Sequence, residues 1–157
     1  MKTSYWYIAG ATVLIYLLMG TKKAFSSIKE NQKIRICDPF GCGSFGASRG
    51  ARKHNGIDIV TIPNEMIKSP ISGTVTRFPF PYGSDLSYTG IEIVNSDYKV
   101  KMFYVTPTVK INDYVNAGQP VAKSQNIASK YGSSMANHVH IEVYDKNGKL
   151  IDPTNLF

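Results

Sequence analysis

The three histidines of the chain, His54, His138 and His140, fall into two short motifs that could bind a metal ion. An H-x-x-x-D motif joins His54 to Asp58, and an H-x-H motif joins the other two histidines. Imidazole nitrogens and carboxylate oxygens suit Zn²⁺, and a catalytic zinc typically keeps three protein ligands and one open position. Two histidines and one aspartate would complete that set and leave one histidine free to act on water or a substrate.

The H-x-H motif lies on a predicted β-strand. Apolar and polar residues alternate from His138 to Tyr144, which is the period-two pattern of a half-buried strand. Residues two apart share a face, so His138 and His140 lie opposite the apolar side chains. Asn147-Gly148 tolerates the positive φ angles of a tight turn. We therefore expect a hairpin in which Leu150-Ile151 opens the return strand.

A second predicted strand carries the H-x-x-x-D motif. Gly56 disfavours a helix in this stretch, and the isoleucines on either side of Asp58 favour a strand. On that strand His54, Gly56 and Asp58 share one face, while the isoleucines take the other. Both histidine-bearing segments are therefore predicted to have an apolar back and a polar front.

Short strand-like runs recur along the chain, namely GIDIVTI, SGTVTRF, GIEIV, YKVKMFYV and HVHIEVY. Glycine, proline, asparagine or serine usually separates them. A chain of 157 residues is long enough for one domain, with little left for a second. We predict a mainly β fold, with a small antiparallel β-sheet and few helices.

The N-terminal region is predicted to lie outside that domain. The segment from Thr3 to Thr21 carries no charge, and its length just suffices to cross a hydrocarbon core of ~30 Å. We predict an apolar helix in residues 1–21 that acts as an uncleaved membrane anchor, with a cleaved signal peptide as the alternative. Residues 22–34 are polar and charged and are predicted to be a tether, which leaves residues 35–157 for the domain.

The only two cysteines, Cys37 and Cys42, lie in the sequence CDPFGC. Pro39 and Gly41 between them favour a turn, so the two sulfur atoms could approach and form a disulfide. A reduced pair in a cytosolic domain is the alternative. A disulfide needs an oxidising compartment. Together with the predicted anchor it indicates a cell-envelope protein facing outside the cytoplasm, or a secreted one if the N-terminal segment is cleaved.

The formal net charge of +7 suggests an anionic neighbourhood. The basic residues are spread along the chain, however, and Arg49–Lys53 is the only dense cluster after residue 36. Neither a basic helix nor a nucleic-acid-binding motif is present, so we expect no nucleic-acid partner. The charge is interpreted as a solvated surface with some lysines near a membrane.

The two motifs, as they stand in HNGIDI and HVHIEV, resemble those of the lysostaphin-type zinc endopeptidases, peptidase family M23. The resemblance covers most of residues 43–157. It implies an antiparallel sheet crossed by a groove, one Zn²⁺ ion, and peptide cross-links of peptidoglycan as the substrate. It also implies that His54, Asp58 and His140 are the zinc ligands and that His138 is the catalytic histidine beside the metal.

The chain departs from this family pattern at one position. Active members usually carry a further histidine in a Tyr-x-His-Leu segment, and Val105 stands in its place in KMFYVTPT. Valine cannot donate a hydrogen bond to a developing oxyanion, so weak activity is predicted. Tyr104 or Tyr131 could replace the missing donor.

A second resemblance is carried by CDPFGCG, by VKMFYV followed by Pro107, and by HVHIE. These segments are similar to the vertebrate chemotaxin 2 family, which is secreted, shares the fold and zinc site, and is regarded as non-proteolytic. Two functions therefore stay open. One is a weak envelope zinc endopeptidase acting on peptidoglycan, and the other is a non-catalytic, zinc-stabilised module that binds wall glycan or a protein partner. Arg52 and Lys53 would suit either.

Overall fold

The computed structural model describes residues 24–157, and nearly all regular structure in that part of the chain is β. The twelve strands are β1 (Ser48–Arg49), β2 (Arg52–Lys53), β3 (Ile57–Val60), β4 (Met66–Lys68), β5 (Gly73–Arg77), β6 (Gly90–Val94), β7 (Tyr98–Phe103), β8 (Val105–Pro107), β9 (Tyr114–Val115), β10 (Pro120–Ser124), β11 (His138–Asp145) and β12 (Leu150–Ile151). A short helix, α1, spans Ala128–Tyr131. All strand pairs among the described residues are antiparallel, which confirms the predicted fold class.

The main sheet has seven strands in the order β12–β11–β7–β6–β5–β9, with β3 also paired to β11. Strand β11 has β7 along one edge, while β3 and then β12 pair along its other edge. A second sheet has the order β4–β10–β8, and β1 and β2 form a separate hairpin. The long strand β11 is therefore the element through which the two histidine motifs meet.

The predicted alternation along β11 is confirmed. Val139, Ile141 and Val143 are completely buried and belong to the hydrophobic core. The predicted hairpin is also present, because Val143 pairs with Ile151 across a turn in which Gly148 has a φ of 78°. Because these three apolar side chains pack in the core, the polar residues of β11 lie on the opposite face of the strand.

Residues 25–34 do not form the free tether that their polarity predicts. Phe25 and Ile28 are buried in the core, and Ile34 forms a β-bridge with Ile59 of β3. Burying a large apolar side chain contributes about 1.5–3 kcal/mol, so these two residues offset part of the cost of ordering an otherwise charged segment. The predicted anchor in residues 1–21 lies outside the described residues. Within residues 24–157, no helix has the length and apolar character needed to cross a membrane.

Candidate metal centre and groove

Three side-chain atoms from the two motifs converge on one point. His54 Nε2 lies 2.9 Å from His140 Nδ1, and these nitrogens lie 3.1 Å and 2.9 Å from Asp58 Oδ1. Among the described residues this is the only group of three histidine, cysteine or carboxylate side chains that could hold a metal ion. The structure thus brings together the three residues that the family resemblance implies as ligands.

The pairing of β3 with β11 creates this convergence. Asp58 lies directly opposite His140 in the register, so both side chains point to the same face. Gly56 permits the close approach of the two segments, because a methyl group there would lie 2.0 Å from the Ile141 carbonyl oxygen. The same methyl group would lie 2.9 Å from Cε1 of His140. Glycine is therefore needed at position 56 for steric reasons.

The ring orientations of the two histidines suit metal binding. His54 donates from Nδ1 to the Ser44 carbonyl oxygen at 2.8 Å, which leaves the lone pair of Nε2 directed at the centre. His140 Nε2 lies 3.5 Å from a Glu142 carboxylate oxygen, so the lone pair of Nδ1 faces the centre. Two imidazole nitrogens and one carboxylate oxygen, each with a free lone pair, form a donor set that fits a divalent cation.

Two arginines position the Asp58 carboxylate. Arg35 donates to Oδ2 from Nε at 3.3 Å and from Nη2 at 2.9 Å, and Arg49 adds a contact at 3.4 Å. These contacts orient Oδ1 towards the two histidines. Burial by itself raises the pKa of Asp58, but its close contacts with His140 and His54 outweigh burial and bring the pKa far below its usual value. The aspartate is therefore an anionic ligand.

The cysteine loop holds both arginines. Cys37 and Cys42 form the predicted disulfide. Arg35 donates to the Asp38 carboxylate and, at 2.9 Å, to the Gly41 carbonyl oxygen, both within this loop. Arg49 donates to the Cys42 carbonyl oxygen at 2.6 Å. Sequence reasoning missed the roles of the two arginines, since their spacing from Asp58 forms no recognisable motif.

His138 lies at the edge of the centre. Its Nδ1 donates to the Ala136 carbonyl oxygen at 2.7 Å, and its Nε2 lies 3.7 Å from Asp58 Oδ1. Burial lowers the pKa of His138, which favours the neutral imidazole. The second histidine of the H-x-H motif thus joins the converging group, while the first presents an unprotonated nitrogen beside it.

Glu142 is a further residue of the centre that was not singled out from the sequence. Period-two alternation places it on the same face as His140, which is a signal that could have identified it. Burial raises the pKa of Glu142, but hydrogen bonds from His140 and Tyr144 outweigh this effect and lower it to about 2. Tyr144 donates to its carboxylate at 2.7 Å, so Glu142 is held in place against His140.

Val105 does not face the centre. Its side chain is completely buried in the core, whereas Tyr104 lines the groove and its ring centroid lies 5.4 Å from that of His138. The cause is the backbone of Tyr104, whose positive φ of 63° interrupts the alternation at the end of β7. Tyr104, and not Val105, therefore lies beside His138. The expectation from the sequence that Val105 stands in the place of the missing histidine beside the centre is corrected accordingly.

The centre opens into a groove of about 460 Å³. Three tyrosines that line the groove, here called the tyrosine cluster, are Tyr82, Tyr104 and Tyr131. Tyr131 donates to the Tyr82 hydroxyl at 2.9 Å, and Tyr82 donates to the Tyr104 hydroxyl at 3.2 Å. The Tyr104 hydroxyl is an acceptor in this chain, so its own proton is available to a group in the groove.

The fold and the centre define a peptidase-like β domain that could hold a metal ion in its groove. The sequence profile of peptidase family M23 matches residues 52–153, and the chain belongs to this family.

Comparison with known proteins supports both resemblances noted in the sequence. The chain is 27% identical to leukocyte cell-derived chemotaxin-2 of Mus musculus over 148 residues, which cover 94% of each chain. It is 28% identical to the Bos taurus protein over 145 residues, covering 92% of each. The structure of lysostaphin, described as an antimicrobial peptidase from Staphylococcus simulans, superposes with a TM-score of 0.59 at 22% identity. That match covers 83% of this chain and 52% of lysostaphin, about half of its length.

Proposed function

We propose that the protein is a zinc-dependent endopeptidase with weak activity on the peptide cross-links of peptidoglycan. The observation that carries this proposal is the convergence of His54 Nε2, Asp58 Oδ1 and His140 Nδ1 in an open groove, with His138 beside them. These three atoms would hold the ion. When bound, Zn²⁺ supplies Lewis acidity towards the scissile carbonyl and the attacking water.

His138 acts as the general base. Its Nδ1 proton is committed to the Ala136 carbonyl oxygen, so Nε2 is the nitrogen that accepts a proton from the attacking water. The same nitrogen then passes the proton to the leaving amine. Neither histidine of the ligand set could do this, because their free lone pairs would hold the ion.

Tyr104 donates a hydrogen bond to the oxyanion that forms on the scissile carbonyl. Its hydroxyl accepts from Tyr82, which leaves its own proton for the substrate. Burial raises the pKa of Tyr104, so the phenol stays protonated near neutral pH. A single donor of this kind contributes on the order of 10²-fold to turnover.

The proposed location is the cell envelope, outside the cytoplasm, with residues 3–21 in the membrane. The disulfide between Cys37 and Cys42 supports an oxidising compartment. The fold similarity to an antimicrobial peptidase supports an extracellular polymer or peptide as the substrate. Membrane anchoring would keep the groove close to the wall polymer.

A second candidate is a non-catalytic, zinc-stabilised binding module. The match to chemotaxin-2, which extends over 94% of both chains, favours it. A further point in its favour is that no fourth histidine exists in the chain to complete the usual M23 pattern. In this alternative the groove would bind wall glycan or a protein partner without cleavage.

The test is incubation of the zinc-loaded full-length protein with purified peptidoglycan, followed by a count of new amino termini. The control variant is His138→Gln, which keeps the three proposed ligands and should keep the same zinc content. Amino termini released by the wild type and not by the variant would support the peptidase. Co-sedimentation of both proteins with peptidoglycan, without new amino termini, would reject the peptidase and support the binding module.

A further inference from the structure

The groove carries a cation that no carboxylate neutralises. Arg52 on β2 lines the groove and is exposed. No acidic side chain in residues 24–157 lies within 4 Å of its guanidinium, although all eleven acidic residues of the chain fall in that range. Lys53, the next residue, also lines the groove and adds charge of the same sign.

The hairpin geometry directs Arg52 towards the centre. Arg52 lies directly opposite Arg49 across the β1–β2 pair, so the two side chains share one face. The Arg49 guanidinium reaches the Asp58 carboxylate, which shows where this face points. Like charges directly opposite each other destabilise a strand pair unless an anion lies between them. Arg49 has such an anion among the described residues, whereas Arg52 has none.

The two carboxylates of the groove are already engaged. Asp58 is bound by Arg35 and Arg49. Glu142 accepts a hydrogen bond from Tyr144, and Lys101 Nζ lies 3.6 Å from it. Neither carboxylate is therefore free to neutralise Arg52.

The tyrosine cluster offers no compensating charge either. Burial is the main cause that raises the pKa of Tyr82 well above its usual value, so its phenol is neutral. Lys130, which lies over the Tyr82 ring, is itself paired with Asp85 at 2.5 Å. The groove thus combines hydrogen-bonding phenols with a basic edge at Arg52 and Lys53, where no carboxylate of the described residues neutralises Arg52.

We propose that Arg52, with Lys53 beside it, is a carboxylate subsite, so that the protein prefers peptides bearing a free carboxylate near the bond presented to His138. This inference deepens the proposed function and rests on it for the position of that bond. The guanidinium can bind a carboxylate through two parallel hydrogen bonds, which a lysine cannot reproduce. An exposed pair of this kind should give a preference of about two- to fivefold, decreasing at high salt.

The test uses matched peptides that differ only in charge. Pentapeptides of glycine and alanine would carry one Glu at each position in turn, and a second series would carry the isosteric Gln. Binding to the zinc-loaded full-length protein is measured by calorimetry at low and high salt, and cleavage is followed in parallel. The variants are Arg52→Gln, Arg52→Lys and a control, Lys123→Gln, which removes one exposed charge away from the groove.

The wild type and Lys123→Gln should bind the Glu series about two- to fivefold more tightly at one or two positions. Arg52→Gln should lose that preference, and Arg52→Lys should keep part of it. A preference that survives undiminished in Arg52→Gln would show that a group other than Arg52, such as the zinc ion, binds the carboxylate, and it would overturn the proposal. Equal binding of both series by the wild type would do the same.

The parallel cleavage data separate the two proposals. Selective binding without cleavage would contradict the peptidase function but leave the carboxylate subsite intact. Cleavage with no preference for Glu would support the peptidase function and contradict the carboxylate subsite.

Discussion

Phe103 and Tyr104 are consecutive in the chain, yet both line the groove beside the histidines. Phe103 ends β7 on the polar face, with its ring 6.0 Å from that of His140. Regular alternation would send Tyr104 into the core, but its φ of 63° resets the alternation. As a consequence Val105 takes the core position and Tyr104 stands next to His138.

Replacing Tyr104 with phenylalanine should lower kcat by about 10²-fold, because the variant loses the hydrogen-bond donor to the oxyanion. KM and zinc content should change little, since neither depends on that hydroxyl. The matched control is Tyr88→Phe, which removes a hydroxyl bound to Ser129 outside the groove. Equal turnover by wild type and Tyr104→Phe would exclude the phenol as the donor.

Introducing histidine at position 105 should destabilise the protein and should not raise its activity. The new imidazole would be buried in the core without a hydrogen-bond partner, at a cost of about 2–4 kcal/mol of unfolding free energy. Chemical denaturation would measure this cost, with Thr106→His at the exposed neighbouring position as the control. An increase in turnover for Val105→His, with unchanged stability, would show that position 105 faces the groove after all.

The substitution Gly56→Ala should disrupt the candidate metal centre. Its methyl group would meet the Ile141 carbonyl oxygen, so β3 would have to move away from β11. We expect a loss of roughly 2–4 kcal/mol in unfolding free energy, together with weaker zinc binding. Gly83→Ala is the matched control, because its methyl group would meet no atom within 4 Å. Similar stability of the two variants would argue against the tight β3–β11 approach.

Lysine at position 35 should weaken zinc binding while it preserves the charge. The substitution replaces a two-point contact on Asp58 with a single-point one, so the carboxylate is oriented less firmly. Competition with a chelator should show a zinc affinity about tenfold lower. Arg77→Lys, which alters a similar pair with Glu92 away from the groove, should leave the affinity unchanged. An unaltered affinity in Arg35→Lys would mean that Asp58 needs no such support.

The sequence predicts the strands of the two histidine motifs well, because alternation and glycine placement are local properties. Face-sharing on the two strands nominates His54, Asp58 and the H-x-H pair, and the resemblance to family M23 then implies His140 as the third ligand. The contributions of Arg35 and Phe25 depend on contacts with distant parts of the chain, which local patterns do not encode. The sequence names Tyr104 as a possible replacement donor, but it does not predict the backbone that places Tyr104 beside His138, because a positive φ at a tyrosine has no signature in the amino-acid sequence.

The most direct test of the central claim is a zinc titration of peptidoglycan cleavage. Full-length protein is stripped with a chelator, dialysed and reloaded, while elemental analysis gives the zinc content and new amino termini give the activity. Activity should vanish on stripping and return in full at one zinc per chain, and His54→Ala should neither bind the ion nor regain activity. Cleavage that persists in the stripped protein, or zinc content that His54→Ala leaves unchanged, would contradict a zinc endopeptidase built on His54, Asp58 and His140.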